Sequence, residues 1–394
     1  MFVLTDSSAS KLYGFCRRFP QVGSEDTSEC LVFLSQAPLF SILEPALEII
    51  QTRWILAPWS VLTVVQQLRD KKVPAPGSFL NLSLTPRKAV LKRDFQDRVS
   101  LRLLFQSLSI DNVLWVLNSI LFESRIILTS YSLSILSACA HAFLALMEPF
   151  SWPHIFIPIL PASITHYACA PMPFIVGIHK DCLKDVLEMP LDSVTIVDLD
   201  TDSISVRKLT LEPTSPRSSA QGFAGNAGSR LKKRLASIVP NSRSIRQMGK
   251  DALKKLQKGG RFYSESKFNN HVSCFSIDLI SQQIYDAVLS FFIHSMGHWI
   301  RCFEIEKSLD AFRFSVHKFV TDSIADSQET FNFLQTICQS QYFTQFLSDK
   351  ASAFQVRSKS GLRISEALSG LSPPMFRFVR LCEVISAEDI LSFS

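Results

Sequence analysis

The sequence predicts an α/β protein: a small α+β N-lobe, then a larger, doubly wound, mostly parallel α/β C-lobe followed by helices. Three observations lead there. Between residues 123 and 198, short β-branched segments alternate four times with apolar helical ones, the mark of βαβ units. The first ninety residues hold only two extended segments and two helical patterns. Past residue 270 the periodicity is helical.

In order, Leu12 to Phe19 and Cys30 to Leu34 read as strands of an antiparallel hairpin, separated by a polar turn near Gly23-Ser24-Glu25-Asp26. Pro38 to Ile50 and Pro58 to Lys71 read as helices, the second with Leu62, Val65 and Leu68 at helical spacing and Lys71-Lys72 at its C-terminal end. Pro74, Pro76 and Gly77 close this lobe, which lacks enough strands for a complete sheet. From about Ser100 the main lobe begins. Ser109-Ile110-Asp111-Asn112 offers a cap for a helix over Val113 to Phe122. Then come strand Arg125 to Thr129, helix Leu133 to Met147, strand His154 to Ile159, a short helix Ser163 to Ala168, strand Phe174 to Ile178, helix Lys180 to Met189 and strand Ser193 to Asp198. Parallel neighbours need right-handed crossover helices, so helices are expected on both faces of the sheet. Their loop ends are the natural partner-facing surface.

The expected organisation is 1–90 for the N-lobe, 100–210 for the α/β core, 211–269 for a flexible basic insert, 270–350 for a helical module and 351–394 for a tail. Pro213, Pro216, Gly222, Gly225 and Gly228 carry the flexible reading of the insert. The net charge is +6, but Arg230 to Arg261 alone carries +10, so the remainder is −4. Its basic residues are Arg230, Lys232, Lys233, Arg234, Arg243, Arg246, Lys250, Lys254, Lys255, Lys258 and Arg261. Leucines, isoleucines and Met248 interleave them, so that Ser242 to Gln257 can form a basic amphipathic helix. Three readings stand, in this order: a regulatory loop whose serines are phosphorylated, a contact with anionic lipid or a partner groove, and nucleic-acid binding. The last lacks interleaved aromatics, so nucleic acid is not expected as a partner.

Enzyme chemistry finds little support. No G-x-G-x-x-G is present, and Gly249-Lys250 is followed by Asp251 where a phosphate loop has Ser or Thr. Ser295 has Ile293 before it and Gly297 after it, so no nucleophile elbow forms. His294 and His298 stand one helical turn apart without the glutamate of a zinc protease, which favours core packing over a metal site. No cofactor is expected. The nine cysteines, at 16, 30, 139, 169, 182, 274, 302, 338 and 382, are scattered and never spaced C-x-x-C, which fits reduced thiols. Ser132 to Phe150 approaches bilayer-spanning length, yet Ser132, Ser134, Ser137, His141 and Glu148 interrupt it, so a buried helix is expected. The opening Met1-Phe2-Val3-Leu4-Thr5-Asp6 does not read as a signal peptide.

In the central run, Glu123, Arg125, Trp152 and His154 are polar or amphipathic residues in an apolar setting. Taken singly, each is better explained by core filling or satisfaction of buried groups than by partner contact. Together they are the candidate partner-binding set.

The same run carries a resemblance. Glu123, Arg125, Leu133-Ser134, Pro149-Phe150-Ser151-Trp152, His154, Ile157-Pro158, Leu160-Pro161, Ala170-Pro171 and Pro173-Phe174 to Gly177 resemble the central block of a DENN domain. Phe2-Val3-Leu4-Thr5-Asp6 with Leu12 to Arg18 is similar to that family's upstream module. Phe291-Phe292, Gly297-His298, Phe331, Leu334, Ser340-Gln341, Phe343 and Phe346 are similar to its downstream module. Pro153 departs from the Gln more often found there, and the upstream module starts at a middle strand.

The resemblance implies a longin-like N-lobe, here missing its first strands, that grips a Rab GTPase together with the C-lobe. It implies a guanine-nucleotide exchange factor, without covalent catalysis, acting in membrane trafficking from the cytoplasm or peripherally on vesicle or endosomal membranes. The alternative is a non-catalytic scaffold binding a GTPase or a membrane.

Overall fold

The computed structural model describes residues 1–5, 11–20, 28–83, 88–93, 99–207, 225–239, 279–306, 311–322, 328–360 and 375–382. Strands β1 (Phe2–Thr5), β2 (Lys11–Pro20) and β3 (Ser28–Ser35) form an antiparallel sheet in chain order. Alternation splits its faces. Phe15 and Phe19 point inward and are buried with helix α1 (Phe40–Leu56) and helix α2 (Val61–Asp70), while Val3 on the same face joins the C-lobe core. Leu4, Val32 and Leu34 share the opposite, exposed face. Phe2 lies opposite Gly14, and a Cβ at position 14 would collide with the Phe2 ring, so glycine lets the ring lie flat across the neighbouring strand. The expected hairpin and two helices are present. The sequence reading lacked β1 and a second hairpin, β4 (Phe79–Ser83) with β5 (Lys88–Lys92). Its flanking Pro74, Pro76 and Gly77 read as an end to the lobe, but Leu80, Leu82 and Leu91 return to the same core.

The C-lobe opens with helices α3 (Arg102–Ser107) and α4 (Ile110–Leu121). Ser109 Oγ accepts the Asn112 N–H at 3.4 Å, the cap expected from the sequence. Strands β6 (Arg125–Ser130), β7 (Ile155–Ile157), β8 (Phe174–His179), β9 (Val194–Asp198) and β10 (Ser203–Arg207) form one sheet in the order β10-β9-β6-β8-β7. All neighbours are parallel except β10, which closes the edge antiparallel to β9 and was not foreseen. Helix α5 (Leu133–Leu146) carries the chain from β6 to β7, and a 3-10 segment over Ala162–Cys169 leads on to β8. A 3-10 turn with the short helix α6 (Leu183–Leu187) connects β8 to β9. Successive strand residues serve opposite faces: Ile126 and Leu128 join α4 and α5, while Ile127 joins Phe174, Val176, Val186 and Ile196 beneath. Gly177 sits where a Cβ would stand 2.9 Å from Leu136 Cγ and would strike the Pro158 carbonyl, so α5 and the chain after β7 close tightly on β8.

Within the stretch expected to be a flexible insert, helix α7 (Gly225–Ile238) is ordered. Gly228, Leu231 and Leu235 fall on one face and are buried, with Leu231 and Leu235 packed in the main core. Each buried leucine contributes about 1.5–3 kcal/mol, which outweighs the local weakness of two glycines. The amphipathic helix expected over Ser242 to Gln257, and with it Arg243, Arg246, Lys250, Lys254, Lys255 and Lys258, lies outside the described residues.

The downstream module consists of helix α8 (Leu279–Met296), the hairpin β11 (Phe303–Glu306) with β12 (Ala311–Phe314), and helices α9 (Val316–Thr321), α10 (Gln328–Gln339) and α11 (Gln341–Ser360). His294 and His298 each engage a backbone carbonyl: His294 Nδ1–H donates to Ser290 O at 2.6 Å, while His298 stacks on Phe319 and donates to its carbonyl at 2.7 Å. The expected tail is replaced in part by a further helix over 375–382, whose Phe378, Val379 and Cys382 are fully buried. Among the described residues, no helix is long and apolar enough to cross a membrane.

Candidate functional site

Two polar centres organise the C-lobe. The first lies at the carboxyl edge of the sheet, where β6, β8 and β9 end together at Ser130, His179 and Asp198. Lys180 Nζ donates to Asp198 Oδ2 at 2.7 Å and reaches Asp200 Oδ2 at 3.5 Å, while sitting 5.0 Å over the Tyr131 ring. Asp200 also accepts the Ser130 hydroxyl at 2.7 Å and the Tyr131 N–H at 3.1 Å. Asp198 Oδ1 accepts the backbone N–H groups of Asp200 and Thr201. His179 Nε2–H donates to Tyr131 O at 3.0 Å, which leaves Nδ1 to accept from the Asp181 N–H. Burial lowers the Lys180 ammonium, but its hydrogen bonds and charge contacts with Asp198 and Asp200 outweigh that and raise it above the ordinary lysine value. The lysine is therefore a cation spent on two carboxylates, with no proton to exchange near neutrality.

This knot fixes the three loops that follow the strands, and it presents Tyr131 and Leu133, both about half exposed, on the surface. Sequence reasoning named the loop ends as a region but missed Tyr131, His179, Lys180, Asp198 and Asp200. Their signal was positional: charged and aromatic residues immediately after parallel strands.

The second centre gathers the candidate set. Glu123, in the left-handed region with φ 50°, turns the chain from α4 into β6. Its Oε1 accepts the N–H groups of Gln341 at 2.8 Å and Tyr342 at 3.1 Å, and lies 3.0 Å from His154 Nε2. The Trp152 and His154 rings meet edge to face at 4.9 Å, and Trp152 Nε1–H donates to Ile155 O at 3.1 Å. Arg125 stands apart, 3.9 Å from Asp192. So Glu123, Trp152 and His154 converge while Arg125 does not, and all four polar groups face partners within the chain. Phe150, from the same motif, touches Phe292, Tyr342, Phe343, Phe346 and Phe378. The Pro149 to His154 run is thus the joint between the α/β core and the downstream helices.

The N-lobe docks on α5. Ser137 Oγ donates to Met1 O at 2.7 Å, and the His141 ring lies edge-on between Phe40 of the N-lobe and Phe156 of β7. Of the basic residues described, Lys232 pairs with Asp111 and Arg234 donates to Ser290 Oγ at 3.1 Å, while Arg230 and Lys233 are exposed on α7. Among the described residues, no group of three or more His, Cys, Asp or Glu side chains is placed to hold a metal. Among the described residues, the geometry of these two centres offers positioned surfaces.

Comparison with known proteins agrees with that arrangement. Residues 26–202, which span the N-lobe from β3 onward and the four parallel strands of the C-lobe sheet, match the DENN (AEX-3) domain. The chain is 26% identical over 359 residues to human DENN domain-containing protein 2B, covering 89% of this chain and 28% of that protein. It is 32% identical over 245 residues to mouse DENN domain-containing protein 1A, covering 60% and 22% respectively, and 34% identical over 227 residues to human DENN domain-containing protein 2A, covering 53% and 22%. The chain thus spans about a quarter of the length of the relatives it matches. With the central motif forming the joint of an α/β core and the domain match lying across that core, the chain carries a DENN-domain match over residues 26–202 and is similar to DENN domain-containing proteins.

Proposed function

We propose that this chain is a DENN-type guanine-nucleotide exchange factor that binds a Rab-family GTPase between its lobes and promotes GDP release in membrane trafficking. The observation that carries the reading is the DENN match over residues 26–202, which falls on both lobes. No general base is needed. An exchange factor works by binding the nucleotide-free GTPase better than the nucleotide-bound form, and about tenfold preference corresponds to about 1.4 kcal/mol.

In this reading the N-lobe, with its three-stranded sheet backed by α1 and α2, is the longin-like half of the grip. Tyr131 and Leu133, held by the Lys180 knot, supply contacts from the C-lobe. Glu123, Arg125, Trp152 and His154 contribute to partner binding as the frame behind that surface, because Glu123 and Trp152 hydrogen-bond within the chain while Arg125 and His154 stand beside the Asp192 and Glu123 carboxylates. The exposed Arg230 and Lys233 face approaches anionic lipid and holds the protein peripherally on vesicle or endosomal membranes.

The test is release of labelled GDP from a panel of Rab GTPases, with this chain added at stoichiometric concentration. Acceleration of at least one, together with capture of its nucleotide-free form over its GTP form, is the expected result. Capture of the GTP form without acceleration assigns the chain a scaffold role, and no binding across the panel overturns the reading.

A further inference from the structure

The exposed face of the N-lobe sheet holds a pair of neighbouring cysteines. Register pairs Cys16 with Val32 and Cys30 with Arg18, so the two cysteines are diagonal neighbours on adjacent strands and project from the same face. Both are exposed, and their sulfurs stand 2.9 Å apart. A disulfide needs about 2.05 Å between sulfurs, so closing the bond takes a side-chain adjustment of under an ångström and no strand displacement. Cys139, Cys302 and Cys382, by contrast, are buried.

We propose that Cys16 and Cys30 form a redox-modification site: a peroxide joins their sulfurs in an intrachain disulfide across β2 and β3, and a thiol reductant reopens it. Hydrogen peroxide oxidises the Cys30 sulfur to a sulfenic acid and leaves as water. The Cys16 sulfur then displaces hydroxide from that sulfenic acid, its own proton leaving with the hydroxide as a second water. Two electrons pass from the thiol pair to the peroxide, and two thiols are consumed per bond. Burial, reinforced by the Cys30 thiol beside it, pushes Cys16 up to about 11, which disfavours Cys16 as the thiolate that peroxide attacks first.

Trypsin cuts after Lys11, Arg17, Arg18 and Arg53, which places Cys16 in peptide 12–17 and Cys30 in peptide 19–53. Reduced full-length protein is treated with equimolar hydrogen peroxide, alkylated, digested and weighed. The expected product is the two peptides joined and lighter by two hydrogens, restored by dithiothreitol, with a loss of two titratable thiols per chain. In Cys16→Ser, whose exposed site leaves the fold intact by circular dichroism, the joined peptide disappears and Cys30 is trapped by dimedone as sulfenic acid. A trivalent arsenical, which bridges neighbouring dithiols without an oxidant, adds to the wild type and not to Cys16→Ser. Retention of both free thiols, irreversible sulfinic acid at Cys30, or bonds between separate chains would overturn the proposal. None of these readouts involves a GTPase, so they stand or fall apart from the exchange reading.

Discussion

The Glu123 carboxylate accepts the backbone N–H of Gln341 at 2.8 Å across 218 residues of chain, and so caps helix α11 from the other side of the C-lobe. A helix N-terminus carries unsatisfied N–H groups and a partial positive charge, and a carboxylate answers both. The cap comes from outside the helix, so it couples the turn before the central strand to the downstream module. Glu123→Ala is expected to lower stability by about 1–3 kcal/mol, measured by urea denaturation. Hydrogen exchange should rise first at residues 341–346, and Glu123→Gln should recover part of the loss.

Lys180 holds two carboxylates, so Lys180→Met leaves both without their cation. Loss of about 2 kcal/mol is expected at neutral pH. The Lys180 value is raised in the fold, so its contribution is complete below the ordinary value of 10.5 and declines as pH climbs through the higher folded value. Denaturation of wild type and variant should therefore differ at pH 7 and converge as pH climbs past the raised lysine value. A constant difference would assign the cost to lost packing.

His141 is the converse case. Burial holds its imidazole down to about 3, against an ordinary 6.5; the Ser137 carbonyl hydrogen bond opposes the shift and the terminal ammonium adds to it. The unfolded chain takes up a proton below 6.5 while the fold refuses it until about 3, so stability falls as pH drops through that window. The limiting slope is about 1.4 kcal/mol per pH unit. His141→Leu should flatten the acid limb of stability against pH by one proton.

Gly177→Ala adds a methyl group against the Pro158 carbonyl and 2.9 Å from Leu136 Cγ. Overpacking of this kind costs about 1–3 kcal/mol, and backbone is the harder neighbour to move. A lower melting temperature with unchanged far-ultraviolet circular dichroism is the expected outcome. Gly228→Ala on α7 tests a different cause of glycine usage and should be milder if that helix surface can yield.

The parallel core was legible because its strands are buried on both faces and its helices are long: Ile126-Ile127-Leu128 and the Leu133 to Met147 run state their roles locally. Other elements depend on partners distant in sequence. Strand β10 reads S-I-S-V-R, half polar, and becomes a strand through pairing with β9. Helix α7 looks like linker because its glycines are visible in sequence, while the groove that receives Leu231 and Leu235 is not. The joint at Trp152 and His154 was legible as a motif. Its geometry was not, since Glu123 finds Gln341 through the tertiary fold. The Lys180 knot likewise unites residues from three strand ends, and only their position after those strands marks them.

The ring of Phe150 meets side chains from α8, α11 and the helix over 375–382, with Phe378 5.7 Å from Phe150 and 6.1 Å from Phe346. A ribosome making this chain has long since released the sheet strands when Phe378 emerges. Until then the centre of the C-lobe stays open to water and to chaperones. Closure of the lobe is thus timed by synthesis of its last described helix, and nascent chains halted before residue 375 should be the aggregation-prone species.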